Sequence, residues 1–152
     1  IGRVSWLFGH GRSTFVDQVI ETAQKGERGG YISNKFSVPN FSDYLVPVMS
    51  KLLESNLTGI VHLTNDAEPE SWFSYAEKIV KNAINLGMLN ENLNLLDKKE
   101  LSDITFFKEE RPQYTVMRPK RLSEELSARV ENWEAGVRQY LKQKLENSLT
   151  NR

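Results

Sequence analysis

Two tyrosines in this chain stand four residues before a lysine, Tyr31 before Lys35 and Tyr140 before Lys144. On a helix that spacing stacks the two side chains on one face. A tyrosine so placed can protonate a carbonyl oxygen while the ammonium beside it lowers its pKa. Tyr31 and Lys35 fall in a stretch that reads as extended, where residues i and i+4 do not stack in this way. Tyr140 and Lys144 fall on a predicted helix, with Tyr140 on its buried face. Neither pair meets the geometric test for a proton donor at an open site. Gly9-His10-Gly11 is a bare Gly-x-Gly, too little to define a phosphate-binding turn. With no cysteine there is no thiolate metal site, disulfide or cysteine nucleophile. The two histidines, His10 and His62, are far apart in sequence and make a poor zinc site. No catalytic, cofactor-binding or metal-binding residue is assigned within the chain.

The elements that would position any ligand contact read as one α/β domain. At 152 residues, 39% hydrophobic and 26% charged, the chain can bury a core of ordinary globular composition. Twenty basic residues balance twenty acidic ones, which argues against a dedicated nucleic-acid binder. No apolar run approaches the ~20 residues of a membrane span, and cytoplasmic location is the default expectation.

Residues 1–8 read as a buried strand. A helix then follows a Ser13 or Thr14 cap with Asp17 behind it, and Gly26 stops it. Gly29-Gly30 leads into an extended piece around Tyr31. A second amphipathic helix starts near Phe41, with Pro47 expected near its first turn. Residues 59–63 form a short apolar strand, and Ser71 caps a third helix ending at Gly87. A short strand near residues 93–96, a short helix over 122–130 and a closing helix from about 132 to 145 complete the pattern. The last carries Trp133, Val137, Tyr140 and Leu141 on one side. Strands alternating with helices predict an α/β fold containing parallel strands. The charge run Asp97-Lys98-Lys99-Glu100 and the cluster Lys108-Glu109-Glu110-Arg111 read as solvated faces, Arg111 excepted.

Four stations, in order, resemble the dTDP-4-dehydrorhamnose reductases, a family of extended short-chain dehydrogenases. Arg3-Val4-Ser5-Trp6-Leu7-Phe8-Gly9 with Phe15-Val16 is similar to Arg-x-Ser-Trp-x-Tyr-Gly and a downstream Asn-Phe-Val. Asn34-Lys35-Phe36-Ser37-Val38-Pro39-Asn40 stands in the place of Asp-Gln-x-Gly-x-Pro-Thr. Gly59-Ile60-Val61-His62-Leu63 leading to Ser71-Trp72-Phe73-Ser74-Tyr75-Ala76 is similar to Gly-x-Tyr-His followed by a Trp-x-x-(Tyr/Phe)-Ala helix. Arg111-Pro112-Gln113-Tyr114 through Arg121-Leu122 is similar to the family's Arg-Pro-x-Asn run. The departures at Asn34, Lys35, Ser37, Asn40 and Tyr114 fall in loops expected near ligand and leave the particular sugar open.

The resemblance implies the C-terminal part of an extended Rossmann-type reductase, with parallel strands and a small helical substrate lobe. Residues 1–152 would be its sugar-nucleotide-binding portion. The glycine-rich turn and the catalytic tyrosine-lysine pair would lie upstream, in a separate N-terminal part that binds NADP or NAD, so this chain alone is expected to bind no cofactor and to be inactive. The intact protein would reduce dTDP-4-dehydro-L-rhamnose or a related 4-keto nucleotide sugar. A homodimer is compatible with that reading, and no membrane or nucleic-acid partner is expected.

Four residues are the substrate-binding candidates. Trp6, at the end of the first strand, either lies against the sugar or packs the core. Arg111 either grips a diphosphate with its two-pronged guanidinium or is a surface arginine beside a loop proline. Asn34 and Lys35 reach nucleotide or sugar hydroxyls or are solvated. His62, Trp72 and Trp133 read as core residues, and His10 lies in a loop near the expected ligand mouth. Two alternatives are a non-catalytic regulatory subunit that keeps the reductase fold, and a nucleotide-sugar epimerase or dehydratase.

Overall fold

A computed structural model describes residues 1–90, 95–105 and 109–150. Leu93 and Lys108, which belong to two of the sequence expectations, lie outside the described residues. Among the described residues, eight short strands and five α-helices are interspersed along the chain. They are β1 (Gly2–Arg3), β2 (Leu7–Phe8), α1 (Phe15–Gln24), β3 (Gly29–Ile32), β4 (Phe36–Ser37), β5 (Asn40–Phe41) and α2 (Ser42–Glu54), followed by β6 (Val61–His62), β7 (Glu70–Ser71), α3 (Trp72–Asn85), β8 (Leu96–Lys99), α4 (Lys120–Leu126) and α5 (Trp133–Thr150). The strands pair two by two. β1 with β6, β2 with β5 and β3 with β8 are parallel, and β4 with β7 is antiparallel. The α/β expectation with parallel strands holds.

Local sequence accounts for both ends of α1 and for the start of α3. Thr14 caps α1 in a box closed by Asp17, and Gly26 follows its C-cap at φ 70°, a left-handed turn that glycine adopts without a Cβ clash. Ser71 caps α3 through a bond from the Ser74 N–H at 3.0 Å. Pro47 corrects one expectation. It sits in the second turn of α2, where its missing N–H leaves the Asp43 carbonyl without an intrahelical donor.

A further correction concerns the first strand. The single strand expected over residues 1–8 is broken into β1 and β2, because Trp6 takes a left-handed conformation at φ 44°. Trp6 therefore lies in the break between two strands. β2 then pairs with β5, while β1 pairs with β6. The run 97–100 is the solvated face expected of it, with Lys98, Lys99 and Glu100 exposed, and Asp97, Lys98 and Lys99 also belong to β8. Its charges are used laterally: Arg28 pairs with Asp97, and the Lys98 ammonium lies 4.9 Å from the Phe73 ring centre.

The core divides in two. The larger part packs α1, α3 and α5 around Phe8, Val38 and Phe41. The smaller lies under α2, β6 and α4, on Leu45, Val48, Val61, Leu63 and Leu122. Tyr44 packs against both. α5 enters through Trp133, Val137, Tyr140 and Leu141, all buried as expected, at about 1.5–3 kcal/mol for each large apolar side chain. Gly136 lets α5 approach: a Cβ there would fall 2.7 Å from the Phe41 Cβ.

Candidate functional site

Both tyrosine-lysine pairs have structural positions. Tyr31 lies in β3, which ends at Ile32, and a bend at Ser33 and Asn34 separates it from Lys35, so the two do not stack as on a helix. Tyr140 and Lys144 do share a face of α5, but both are bound to Asp17. The Tyr140 hydroxyl donates to the Asp17 carboxylate at 2.8 and 3.1 Å, and the Lys144 ammonium pairs with the same group. Thr14 adds its backbone N–H and its hydroxyl, each at 2.7 Å.

Burial pushes the Asp17 carboxyl up, but the bonds from Lys144, Thr14 and Tyr140 outweigh it and hold it below its ordinary value. Burial and the adjacent carboxylate push the Tyr140 phenol far above its own. A proton donor at a carbonyl needs the opposite shift. The cluster ties α1 to α5, and His10 joins it, with Nε2 2.9 Å from Gln143 Oε1 and its ring edge-on to Tyr140. The loop 9–12 is thus held against α5.

The same cluster tests whether the Gly9-His10-Gly11 loop fits a dinucleotide. The helix after it already has its first turn occupied by the Asp17 carboxylate, which would repel a pyrophosphate. The first turn of α1 therefore presents no open helix N-terminus to the pyrophosphate of NAD or NADP.

Trp6 is half-buried in a stack of rings. Its centroid lies 4.8 Å from Tyr75, 5.7 Å from Trp72 and 5.7 Å from Phe15. Left-handed backbone at a bulky residue costs about 1–3 kcal/mol and persists where the surroundings impose it. Here Asn40 imposes it. Its side-chain amide donates to the Ser5 carbonyl at 2.9 Å, and its backbone N–H donates to the Trp6 carbonyl at 3.0 Å. Asn40 is itself fully buried, and its Oδ1 accepts from the Asn65 backbone N–H and side-chain amide, both at 3.0 Å.

Asn40 was expected among loop residues near ligand. The structure instead makes it an internal strut beneath the chain at Trp6, and nothing in the local sequence distinguishes the two roles. Ser37, another of those departures, is also buried and shares a 3.0 Å hydrogen bond with Ser5. Tyr114 is 62% exposed and packs near Phe36.

Asn34, Lys35 and Arg111 come together beside β4. The Phe36 N–H donates to the Gln113 carbonyl at 2.6 Å, and the Thr115 N–H donates to the Phe36 carbonyl at 3.0 Å. Segment 112–115 therefore runs alongside β4 and brings Arg111 next to residues 34–35. Asn34 Oδ1 accepts from the Leu101 N–H at 2.8 Å, which ties its oxygen to the turn Leu101–Asp103. Lys35 is 8% exposed, and its ammonium donates to the Pro112 carbonyl. Burial pushes the Lys35 pKa down, and the charge of Arg111 pushes it further the same way.

Arg111 and Pro112 line a cleft of about 580 Å³ together with Leu101, Ser102 and the run 109–113. Trp6 is not part of that wall. The two halves of the candidate site flank β4 and are linked by the Ser5–Ser37 hydrogen bond.

His62 is half-buried on β6, with Nδ1 3.3 Å from the Arg118 carbonyl. Trp133 is a core residue, whereas Trp72 is half-buried under Trp6. Among the described residues no cluster of three or more metal-ligating side chains occurs, and no helix is long and apolar enough to cross a membrane.

Comparison with known proteins adds the family context. The family described as RmlD substrate binding domain matches residues 1–146. A curated relative, the spore coat polysaccharide biosynthesis protein SpsK of Bacillus subtilis (strain 168), is 28% identical over 142 residues, covering 93% of this chain and 46% of that protein. The chain thus spans about half the length of the curated relative it matches. Similar solved structures include a dTDP-4-dehydrorhamnose reductase from Bacillus anthracis in complex with NADP, at TM-score 0.77 and 23% identity, covering 93% of this chain and 47% of that one. Another, from Clostridium acetobutylicum, gives TM-score 0.78 and 19% identity, covering 95% and 48%. A dTDP-glucose 4,6-dehydratase from B. anthracis gives 0.73 at 10% identity, covering 96% and 44%. At these identities the likeness is one of fold.

Proposed function

The chain belongs to the RmlD substrate-binding-domain family, and from that premise we propose that it is the nucleotide-sugar-binding portion of a larger NAD(P)H-dependent reductase. The intact protein reduces dTDP-4-dehydro-L-rhamnose or a related 4-keto nucleotide sugar, and residues outside this chain hold the nicotinamide and supply the catalytic tyrosine. The observation that carries the ligand assignment is Trp6, a bulky side chain held in left-handed backbone by a buried asparagine. Its indole offers an apolar face to a deoxysugar ring. Arg111 faces the diphosphate from the cleft beside β4, and Asn34 and Lys35 border the same end.

The partner of this chain is the cofactor-binding part of the same enzyme. β1 pairs with β6 on one side only among the described residues, and Ile1, Val4, Leu7 and Ile60 lie exposed on or near these strands. Parallel strands are ordinarily covered on both faces, which supports an α/β unit continuing the sheet at this edge.

The test is a thermal-shift and calorimetric screen of this chain against dTDP-, UDP-, GDP- and CDP-sugars, repeated on Trp6→Gly. Glycine relieves the backbone strain that opposes the lost packing, so the variant should lose no more than about 1–2 kcal/mol of stability. Affinity for the preferred sugar nucleotide should fall by roughly tenfold or more. Stabilisation by none of the four classes would remove the binding assignment. Turnover of a 4-keto nucleotide sugar with NADPH by this chain alone would overturn the division of labour.

A further inference from the structure

Asn65 lies just past β6 and is 2% exposed. A buried side-chain amide is costly unless its polar atoms are paired, and here backbone groups that cannot reverse decide the pairing. The Pro39 carbonyl can only accept, and it takes a bond from Asn65 Nδ2 at 2.7 Å. The Ala67 N–H can only donate, and it reaches Asn65 Oδ1 at 3.1 Å. The Asn65 amide therefore has one orientation, with its second donor aimed at Asn40 Oδ1.

Asn40 is fixed in the same way. Its oxygen also accepts from the Asn65 backbone N–H, so its Nδ2 faces the Ser5 and Val38 carbonyls, each at 2.9 Å. All four hydrogen-bonding positions of the Asn40 amide are filled. The bonds from Ala67 through Asn65 and Asn40 to Ser5 run donor to acceptor in one direction, and each polarises the next. The last acceptor, the Ser5 carbonyl, belongs to the peptide whose rotation is the left-handed φ of Trp6. Threonine, which the resembling motif carries in place of Asn40, has a single hydroxyl donor and cannot bridge Asn65 to both carbonyls. This strut is particular to the asparagine present here.

We infer that Asn65 is a positioning residue for the sugar contact at Trp6. By deciding which way the Asn40 amide faces, it holds the Ser5–Trp6 peptide and so aims the indole. The inference rests on the reading of Trp6 as a sugar contact and deepens it.

The experiment compares the wild-type chain with Asn65→Asp and Asn65→Ala by isothermal titration with dTDP and with dTDP-L-rhamnose, the reduction product of the proposed substrate. Circular dichroism of the stacked Trp6–Trp72 pair reads the indole directly, with Trp6→Gly as the blank. Asn65→Asp keeps the shape but sets only acceptors against Pro39 and Asn40. The Asn40 amide then turns its NH2 toward the carboxylate and its oxygen against the Ser5 and Val38 carbonyls, which releases the Ser5–Trp6 peptide. Asn65→Ala removes the donor without adding charge and serves if Asn65→Asp does not fold. In each folded variant the affinity for dTDP-L-rhamnose should fall by about tenfold while that for dTDP stays within about twofold. The indole-pair signal should weaken with it.

A dTDP-L-rhamnose affinity that stays within about threefold of wild type overturns the proposal, and so does an unchanged indole-pair signal. Affinities for both ligands that fall together, or two variants that both fail to fold, make Asn65 a structural residue and overturn it too. Each of these leaves the sugar reading standing if Trp6→Gly lowers the dTDP-L-rhamnose affinity. Wild-type chain that binds dTDP-L-rhamnose no tighter than dTDP removes the sugar contact itself, and this proposal with it.

Discussion

Replacing Asp17 with alanine should separate α1 from α5 and cost more stability than any surface change. The carboxylate accepts from the Thr14 N–H and hydroxyl, from the Tyr140 hydroxyl and from the Lys144 ammonium. Loss of the capping box is worth about 1 kcal/mol. Tyr140 is 3% exposed, so its hydroxyl loses a charge-assisted bond and is left buried without a partner, at about 1.5–3 kcal/mol. The Lys144 side chain is 40% exposed, and solvent screening keeps its share below about 1 kcal/mol. The total expected loss is about 3–4 kcal/mol, or a fall in melting temperature of roughly 10 °C for a domain of this size.

Chemical denaturation with a two-state fit is the assay, and Tyr140→Phe should account for about half the effect. The pH dependence gives a second readout. Because the folded state depresses the Asp17 pKa, its contribution is complete above the unfolded value. It is lost as pH falls below about 4 and through the folded value. The wild-type melting temperature should therefore drop more steeply across that acid range than that of Asp17→Asn. A loss below about 1 kcal/mol in Asp17→Ala, or parallel acid profiles, would refute the latch and reopen Tyr140 and Lys144 as a chemical pair.

Two further outcomes follow from buried polar groups. Asn40→Ala strands the donors of Asn65 and the carbonyls of Ser5 and Val38. It should cost about 2–4 kcal/mol and shift the tryptophan fluorescence as Trp6 is released; unchanged emission with unchanged stability would deny the strut. Tyr75 presents the opposite case, since its hydroxyl is buried with no hydrogen-bond partner among the described residues. Tyr75→Phe should leave stability level or raise it by about 1 kcal/mol, and a loss in a urea melt would show that the hydroxyl is satisfied.

Much of the fold is legible from the residue order. Thr14 with Asp17, Ser71 with Ser74, and the left-handed glycines at 26 and 87 set helix ends through bonds only a few residues long. The spacing of Trp133, Val137, Tyr140 and Leu141 sets the buried face of α5 for the same local reason. The candidate site was legible only in part. Trp6 and the segments at 34–35 and 111–112 were recognisable as places, but the partners that give them meaning are distant in sequence. Nothing near Trp6 announces that it breaks a strand.

Residue order alone carries the alternation of strands and helices and the family, because each rests on neighbours or on a short motif. Long-range folding alone closes Tyr140 and Lys144 on Asp17, sets Asn40 to hold Trp6 in left-handed backbone, and buries Lys35 near Arg111. A side chain's charge state and partners depend on what chain folding brings next to it, and these contacts span from 35 to 127 positions of sequence.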